Sequence, residues 1–342
     1  MVYGGDSGGG MSESGGEVVR LPSDDLVLPF SVNALDVRGR VAHLGPVVDS
    51  VLSRHGYPEP VARLLGEALV LTVLLGSALK FEGRFISQIQ SDGPVSLLVV
   101  DFRSPDRVRA YARFDADQVA RLSADGAPAF SDLVGEGHLA LTIDPGGHMR
   151  RYQGIVPLTG DSLEEVAHAY FAQSEQIPTT VRLAVAEVLE RRDGAGLRHS
   201  WRAGGLMMQF LPESEDRIRH RDLSPGDAPG SEAGEGDGEP DDDAWVEALA
   251  RVGTVEDHEL IDPDVAPPRL LLRLFHQRDV RVFDAVPVEE TCSCSREKIV
   301  DILNQFDADE RREMVEEGEI RVTCEFCSTV YRFPPSDFGI DD

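Results

Sequence analysis

The sequence predicts an α+β fold: a mainly antiparallel sheet domain with packed helices, a helical linker, and a small C-terminal four-cysteine module. Three observations lead there. Strand-like stretches joined by short turns recur from residue 84 to 212, with helical patterns before and among them. Composition breaks sharply after residue 212. All four cysteines of the 342 residues fall between Cys292 and Cys327. The length fits about two domains, one sizeable core and something smaller.

Residues 1–22 are rich in Gly and Ser, hold no apolar core, and are expected to be a disordered tail rather than a signal peptide. The domain proper is assigned to 23–212. Val47, Val48, Val51 and Leu52 recur at helical spacing from Pro46 to His55, with Pro in the first turn and Gly56 as a stop. A second helix is predicted from about Pro60 to Leu79; it is apolar nearly all round and so should be buried. Its longest apolar run, Ala68 to Leu75, is too short to span a bilayer and follows Arg63 and Glu67. RFISQIQ, the turn SDGP and VSLLVVDF form a β-hairpin. In HLALTI, Leu139, Leu141 and Ile143 alternate with Ala140 and Thr142; the turn DPGG leads to a strand in MRRYQGIVPL. A helix starts at Ser162, with Glu165 completing a capping box, and ends before Pro178. TTVRLAVAEVLE, the turn RRDGAG and GGLMMQFLP supply two further strands. Met207 and Met208 are assigned to the core, with a soft binding patch as the alternative use, and Trp201 and Trp245 to packing, Trp245 as an anchor of the linker.

Residues 213–243, with SPGDAPGSEAGEGDGEPDDD, have almost nothing to bury and are expected to be a disordered acidic insert. The linker is assigned to 244–288. DAWVEALARV is a short amphipathic helix with Asp243 as N-cap, Pro267 and Pro268 introduce RLLLRLFH as a second, and DVRVFDAV is a short strand. Trp245, Leu249 and Val252, then Leu271, Leu274 and Phe275, form stripes on helices too short to be stable alone. They need a docking surface, and the domain before Pro212 is the nearest one.

A formal net charge of −28 argues against nucleic acid and anionic membranes as partners and favours solubility. With no export signal and no scattered cysteine pairs, the cytoplasm is the expected compartment. There, clustered cysteines mean a metal site or a redox device. No Gly-rich phosphate loop, Ser/His/Asp order or carboxylate pair supports an enzyme, and the nine histidines receive no role.

The final module, 289–342, carries the pattern C-x-C, 29 residues, C-x-x-C. Two tight pairs supply a natural tetrahedral zinc set, Cys292, Cys294, Cys324 and Cys327, with no intervening histidine. A static structural zinc clip is the plainest use. A thioredoxin-like site is disfavoured, because CEFC sits between short strands without βαβ surroundings. Iron–sulfur binding has no supporting feature. Zinc-held thiolates are the form that oxidants attack, and structural zinc contributes on the order of 10–16 kcal/mol to small modules. The module's candidate core is short: Ile299, Ile302, Leu303, Phe306, Met314, Ile320, Val322, Val330, Tyr331 and Phe333. Oxidation would therefore unfold it.

From about Asp24 to Phe333, interrupted by the acidic insert, the sequence resembles the 33-kDa heat-shock chaperone family of redox-regulated bacterial holdases. The resemblance rests on DVRGRV, HGYPEPVARLLGEAL, LKFEGRFISQIQSDGPVSLLVVD, RYQGIVPL, GDSLEEVAHAYFAQSEQIPT, GGLMMQFLP and LLLRLFHQRDVRVFDAVPVEETCSCSRE. It implies an ATP-independent chaperone, inactive when reduced, with one zinc per chain on all four cysteines. Oxidants would pair Cys292 with Cys294 and Cys324 with Cys327, zinc would leave, and module and linker would unfold. The protein would then bind unfolding or oxidatively damaged proteins, commonly as a homodimer. Ser328 stands where the family usually has Gly, a position expected to need φ > 0; this would loosen the knuckle by about 1 kcal/mol. The insert is longer and more acidic than expected, and the N-terminal tail is extra. Competing functions are a thiol-disulfide oxidoreductase acting through Cys324 and Cys327, and an interaction module with a permanent zinc clip.

Overall fold

A computed structural model describes residues 24–78, 82–124, 126–146, 150–192, 196–211 and 242–340. Its chain begins with two strands that sequence patterning does not reveal, β1 (Leu26–Val32) and β2 (Val37–Leu44). They pair antiparallel around a 3-10 turn that ends on Asp36 at φ 49°. Helix α1 (Pro46–His55) stops at Gly56 in the left-handed conformation, as the Pro-to-Gly spacing predicts. Helix α2 (Glu59–Gly76) is buried nearly all round. The reason is its position between two sheets, where it touches strands of both.

The first sheet joins β1 and β2 to the long hairpin β8 (Thr179–Arg192) and β9 (Gly196–Phe210) in the order β1-β2-β9-β8. The second is built on the predicted hairpin, β3 (Arg84–Ser91) and β4 (Val95–Arg103), with β5 (Arg107–Phe114), β6 (Gly137–Asp144) and β7 (Tyr152–Pro157). Its order is β5-β4-β3-β6-β7. The strand expected in MRRYQGIVPL begins only at Tyr152. Beyond β5 lie α3 (Ala116–Ala124) and α4 (Phe130–Val134), whose short turns carry no long apolar period. Helix α5 (Leu163–Tyr170) is capped by Ser162, which accepts from the Glu165 amide. Glu165 itself reaches one residue further back, to the Asp161 amide, so the reciprocal box is displaced.

The tail 1–22 and most of the insert 213–243 lie outside the described residues. Asp242, not Asp243, caps α6 (Asp243–Val252), its side chain accepting from the Ala244 amide. α7 (Asp257–Ile261) and α8 (Pro267–Phe275) complete the helical linker. These helices cover the face of the first sheet opposite α2. Trp245, Val252, Leu271, Leu274 and Phe275 are buried against Leu28, Phe30, Leu206, Met208 and Phe210, with Leu249 partly buried beside them. Both methionines are core, on opposite faces: Met207 faces α2 and Met208 lies under the linker.

After α8 the chain ties itself to both sheets. β10 (Arg281–Val282) and β11 (Val286–Pro287) pair with β1, and β12 (Glu289–Glu290) runs parallel to β5. The last unit holds α9 (Arg296–Leu303), α10 (Ala308–Glu313) and a small sheet of β13 (Val315–Glu316), β14 (Glu319–Thr323) and β15 (Val330–Phe333). Its core is Ile299, Leu303, Ile320 and Phe333, closed by Phe338 and Ile340 from beyond the cysteines. Ile302, Phe306 and Val330, expected in this core, are exposed. A module this thin cannot cover every apolar side chain it carries.

Candidate metal centre

Cys292 and Cys294 follow β12 on an extended strip that ends at Ser295, the N-cap of α9. Cys324 and Cys327 form a knuckle between β14 and β15, closed by Ser328 N donating to Cys324 O at 2.8 Å and Cys324 N to Thr329 O at 3.0 Å. The two strips bring all four sulfurs within 4.8 Å of one another. Cys292 Sγ lies 3.7 Å from Cys324 Sγ, and Cys294 Sγ 3.3 Å from Cys327 Sγ. These contacts are far longer than a disulfide bond of about 2.05 Å. The sulfur separations, from 3.3 Å to at most 4.8 Å, bracket the spacing of about 3.8 Å that four thiolates take around a tetrahedral ion. The donor set is all sulfur, and the four thiols can hold a metal ion.

The thiols differ in their surroundings. Burial pushes Cys294 up to about 12. Burial also opposes ionisation of Cys327, yet hydrogen bonds from Thr329 and the neighbouring thiols outweigh it and bring Cys327 down to about 7. Tyr331 Oη donates to Cys294 Sγ at 3.2 Å. A negative charge on one sulfur is thus supported by its neighbours.

Residues to which sequence reasoning assigned no role seat the centre on the sheet domain. Arg54 of α1 grips Glu290 with both terminal nitrogens, at 3.1 and 2.9 Å, two residues before Cys292. His55 Nε2 lies 3.2 Å from Phe326 O, and its Nδ1 3.0 Å from Ser328 Oγ. Because a carbonyl can only accept, Nε2–H donates to it, and in the neutral ring the Ser328 hydroxyl then donates to Nδ1. Between the cysteines of the knuckle, Glu325 accepts from Tyr111 Oη at 3.0 Å and the Phe326 ring lies 4.1 Å under the Arg109 guanidinium. Burial, and then Glu325, push Tyr111 up to about 12. Thr291 N donates to Val108 O, continuing the β12–β5 pairing to the edge of the centre. The only sequence signal for these contacts is the pair of large residues inside CEFC, which a bare metal knuckle does not require. Ser328 has φ 55°, the left-handed backbone expected of that position.

The family described as Hsp33 protein matches residues 25–334. The 33 kDa chaperonin of Caulobacter vibrioides (strain NA1000 / CB15N) is 44% identical over 314 residues, covering 91% of this chain and 95% of its own. That of Pseudomonas putida strain F1 is 36% identical over 319 residues, covering 93% of each. Among solved structures, the 33 kDa chaperonin (heat shock protein 33 homolog) of Thermotoga maritima superposes with a TM-score of 0.69 at 21% identity, over 92% of this chain and 97% of that one.

Proposed function

The chain belongs to the Hsp33 family, and from that premise we propose that it is an ATP-independent holdase chaperone controlled by the oxidation state of its cysteines. One observation carries this reading. Residues 281–291 run from the linker helices to Cys292 and pair with the edge strands of both sheets on the way. The centre and the covered apolar face are therefore parts of one connected device.

Zinc is the ion we assign, one per chain, on Cys292, Cys294, Cys324 and Cys327, because an all-sulfur tetrahedral set matches its preferences. When bound, it would keep the sulfurs as thiolates and cross-link the two strips. Toward peroxide, one thiol attacks an oxygen, forming a sulfenic acid and releasing water. A second thiol attacks that sulfur and expels another water. Two thiols lose two electrons and peroxide is reduced to two waters. The pairs we assign are those the family resemblance implies, Cys292–Cys294 and Cys324–Cys327. Sulfurs bonded within each strip no longer join the strips to each other. The remaining module core is too small to persist alone.

Its loss would release 281–291 from both sheets and the linker from its C-terminal anchor. Leu28, Phe30, Leu206, Met208 and Phe210 would then face solvent, together with the linker stripe. Apolar surface of this extent binds unfolded chains. Unfolded or oxidatively damaged proteins are the partners we assign, a homodimer the active species, and the cytoplasm the compartment, without catalytic turnover. The test is aggregation of an unfolding client with reduced and peroxide-treated full chain, with zinc appearing in solution measured in parallel. Suppression by the oxidised form alone, with one zinc released per chain, is expected. Zinc retained under peroxide would favour a static clip, and turnover of a dithiol substrate an oxidoreductase.

A further inference from the structure

The second sheet places three arginines directly opposite one another on neighbouring strands: Arg84 faces Arg103 across β3–β4, and Arg103 faces Arg107 across β4–β5. One ladder step away on the same face, Arg109 is opposite Asp101. Like charges opposed across a ladder destabilise a sheet. The arrangement is the more unusual in a chain with 33 Lys and Arg against 61 Asp and Glu. Asp101 is buried and already engaged, accepting from Arg84 Nη2 at 2.6 Å and Arg109 Nε at 2.8 Å. Arg107 comes no nearer than 4.0 Å to Asp106. Arg103 has no ion-pair partner among the described residues. Thr291, Ser293 and Lys298 of the cysteine module close this face into a cavity of about 180 Å³.

We propose that this cavity binds a small polyvalent oxyanion of the phosphate class. Five cationic side chains line it against one carboxylate. Guanidinium forks match phosphate oxygens two at a time, and two hydroxyls stand ready to donate. The volume equals that of about six waters, room for a single phosphate group. The sheet supplies Arg84, Arg103, Arg107 and Arg109, whereas the module supplies Thr291, Ser293 and Lys298. The complete site therefore exists only while the module is seated. By linkage the anion favours the seated state by a factor of about 11 at ten times its Kd. A competing use of the same cations is to offset thiolate charge at Cys292 and Cys294, which flank Ser293.

The experiment titrates inorganic phosphate into reduced, zinc-loaded full chain by calorimetry, against chloride at matched ionic strength, with wild type and Arg103→Ala. Arg103 is exposed and unpaired, so its removal leaves the sheet intact. One saturable site per chain, about tenfold weaker in the variant, is expected. Phosphate should also slow zinc loss under limiting peroxide in wild type and not in the variant. Phosphate that binds no better than chloride, or equally well to both proteins, overturns the site. So does faster zinc loss in Arg103→Ala without phosphate, which assigns the charges to the thiolates. Arg103-dependent binding with unchanged zinc loss upholds the site and overturns only its coupling, which rests on the switch proposed above.

Discussion

Ser328 shows how one side chain can both strain a turn and hold it. Its φ of 55° is a conformation that glycine adopts freely and serine does not. Its hydroxyl, however, bonds His55 on the sheet domain. Strain and hydrogen bond are each worth about 1 kcal/mol, so Ser328→Gly should be nearly neutral. Ser328→Ala keeps the strain and loses the bond, and should destabilise the reduced module by about 1 kcal/mol in thermal unfolding. Ser328→Ala as stable as wild type would show that the His55 bond contributes nothing. Glu67 supplies a second test at this scale. It lines a cavity of about 640 Å³, and burial, then the charge of Glu164, raise its carboxyl from 4.5 to about 7 against the pull of Arg63. The folded protein keeps a proton that the unfolded chain releases in this window. Stability therefore falls as pH rises through it, and the full cost, on the order of 3 kcal/mol, stands above pH 7. Glu67→Gln should remove this dependence, read as denaturant midpoints of variant and wild type at about pH 5 and pH 8.

Among the elements, β9 decides whether the linker can dock. Gly204 and Gly205 are consecutive and so face opposite sides of the first sheet. A Cβ on Gly205 would meet Val70 of α2 at 2.6 Å, whereas one on Gly204 would meet the Leu260 carbonyl of α7 at 1.8 Å. The pair lets α2 and the linker approach the same strand from its two faces. Beside it, Arg202 Nε donates to Ile261 O at 2.6 Å, fixing the end of α7. Gly204→Ala should therefore lift α7, and with it the linker, while leaving the cysteines untouched. The expected result is client binding by reduced protein that still holds its metal. If reduced Gly204→Ala suppresses no aggregation although limited proteolysis shows the linker released, linker undocking is not what activates the protein.

At the scale of the whole molecule, the module acts as the far anchor of a strap over the first sheet. Truncation near Ala285 removes β11, β12 and the centre, and with them the Arg54–Glu290 grip. The linker equilibrium then shifts toward the undocked state without oxidant. Aggregation should be suppressed equally in dithiothreitol and in peroxide. A truncated protein that stays folded and dimeric yet suppresses nothing would make the module part of the client site. Deleting Ser224 to Asp241 tests the acidic insert, since this stretch has no apolar side chain larger than Ala and Pro to hold an unfolded client. Client affinity should change little if the insert is only a solvated tether, and a large loss would make it part of the client site.

Local chemistry alone determined the features that depend on few residues. Pro46 and Gly56 bound α1, SDGP turns the β3–β4 hairpin, and the four cysteines announce a sulfur centre by spacing. The linker stripe at Trp245, Leu271 and Phe275 also required a partner surface, because short helices do not stand alone. Tertiary structure decided what those residues meet. β1 and β2 escaped notice because the first sheet is covered on both faces, which removes the alternation that marks a half-exposed strand. β12 spans only Glu289 and Glu290, too short to leave any period, yet it sets the module against β5. The Arg54–Glu290 grip and the Arg109–Phe326 contact join residues more than 200 positions apart, and no local pattern encodes which distant charge or ring a side chain will reach. Burial of Ile299 and exposure of Ile302 were likewise settled by which side of α9 the small sheet covers, a fact of packing rather than of hydrophobicity.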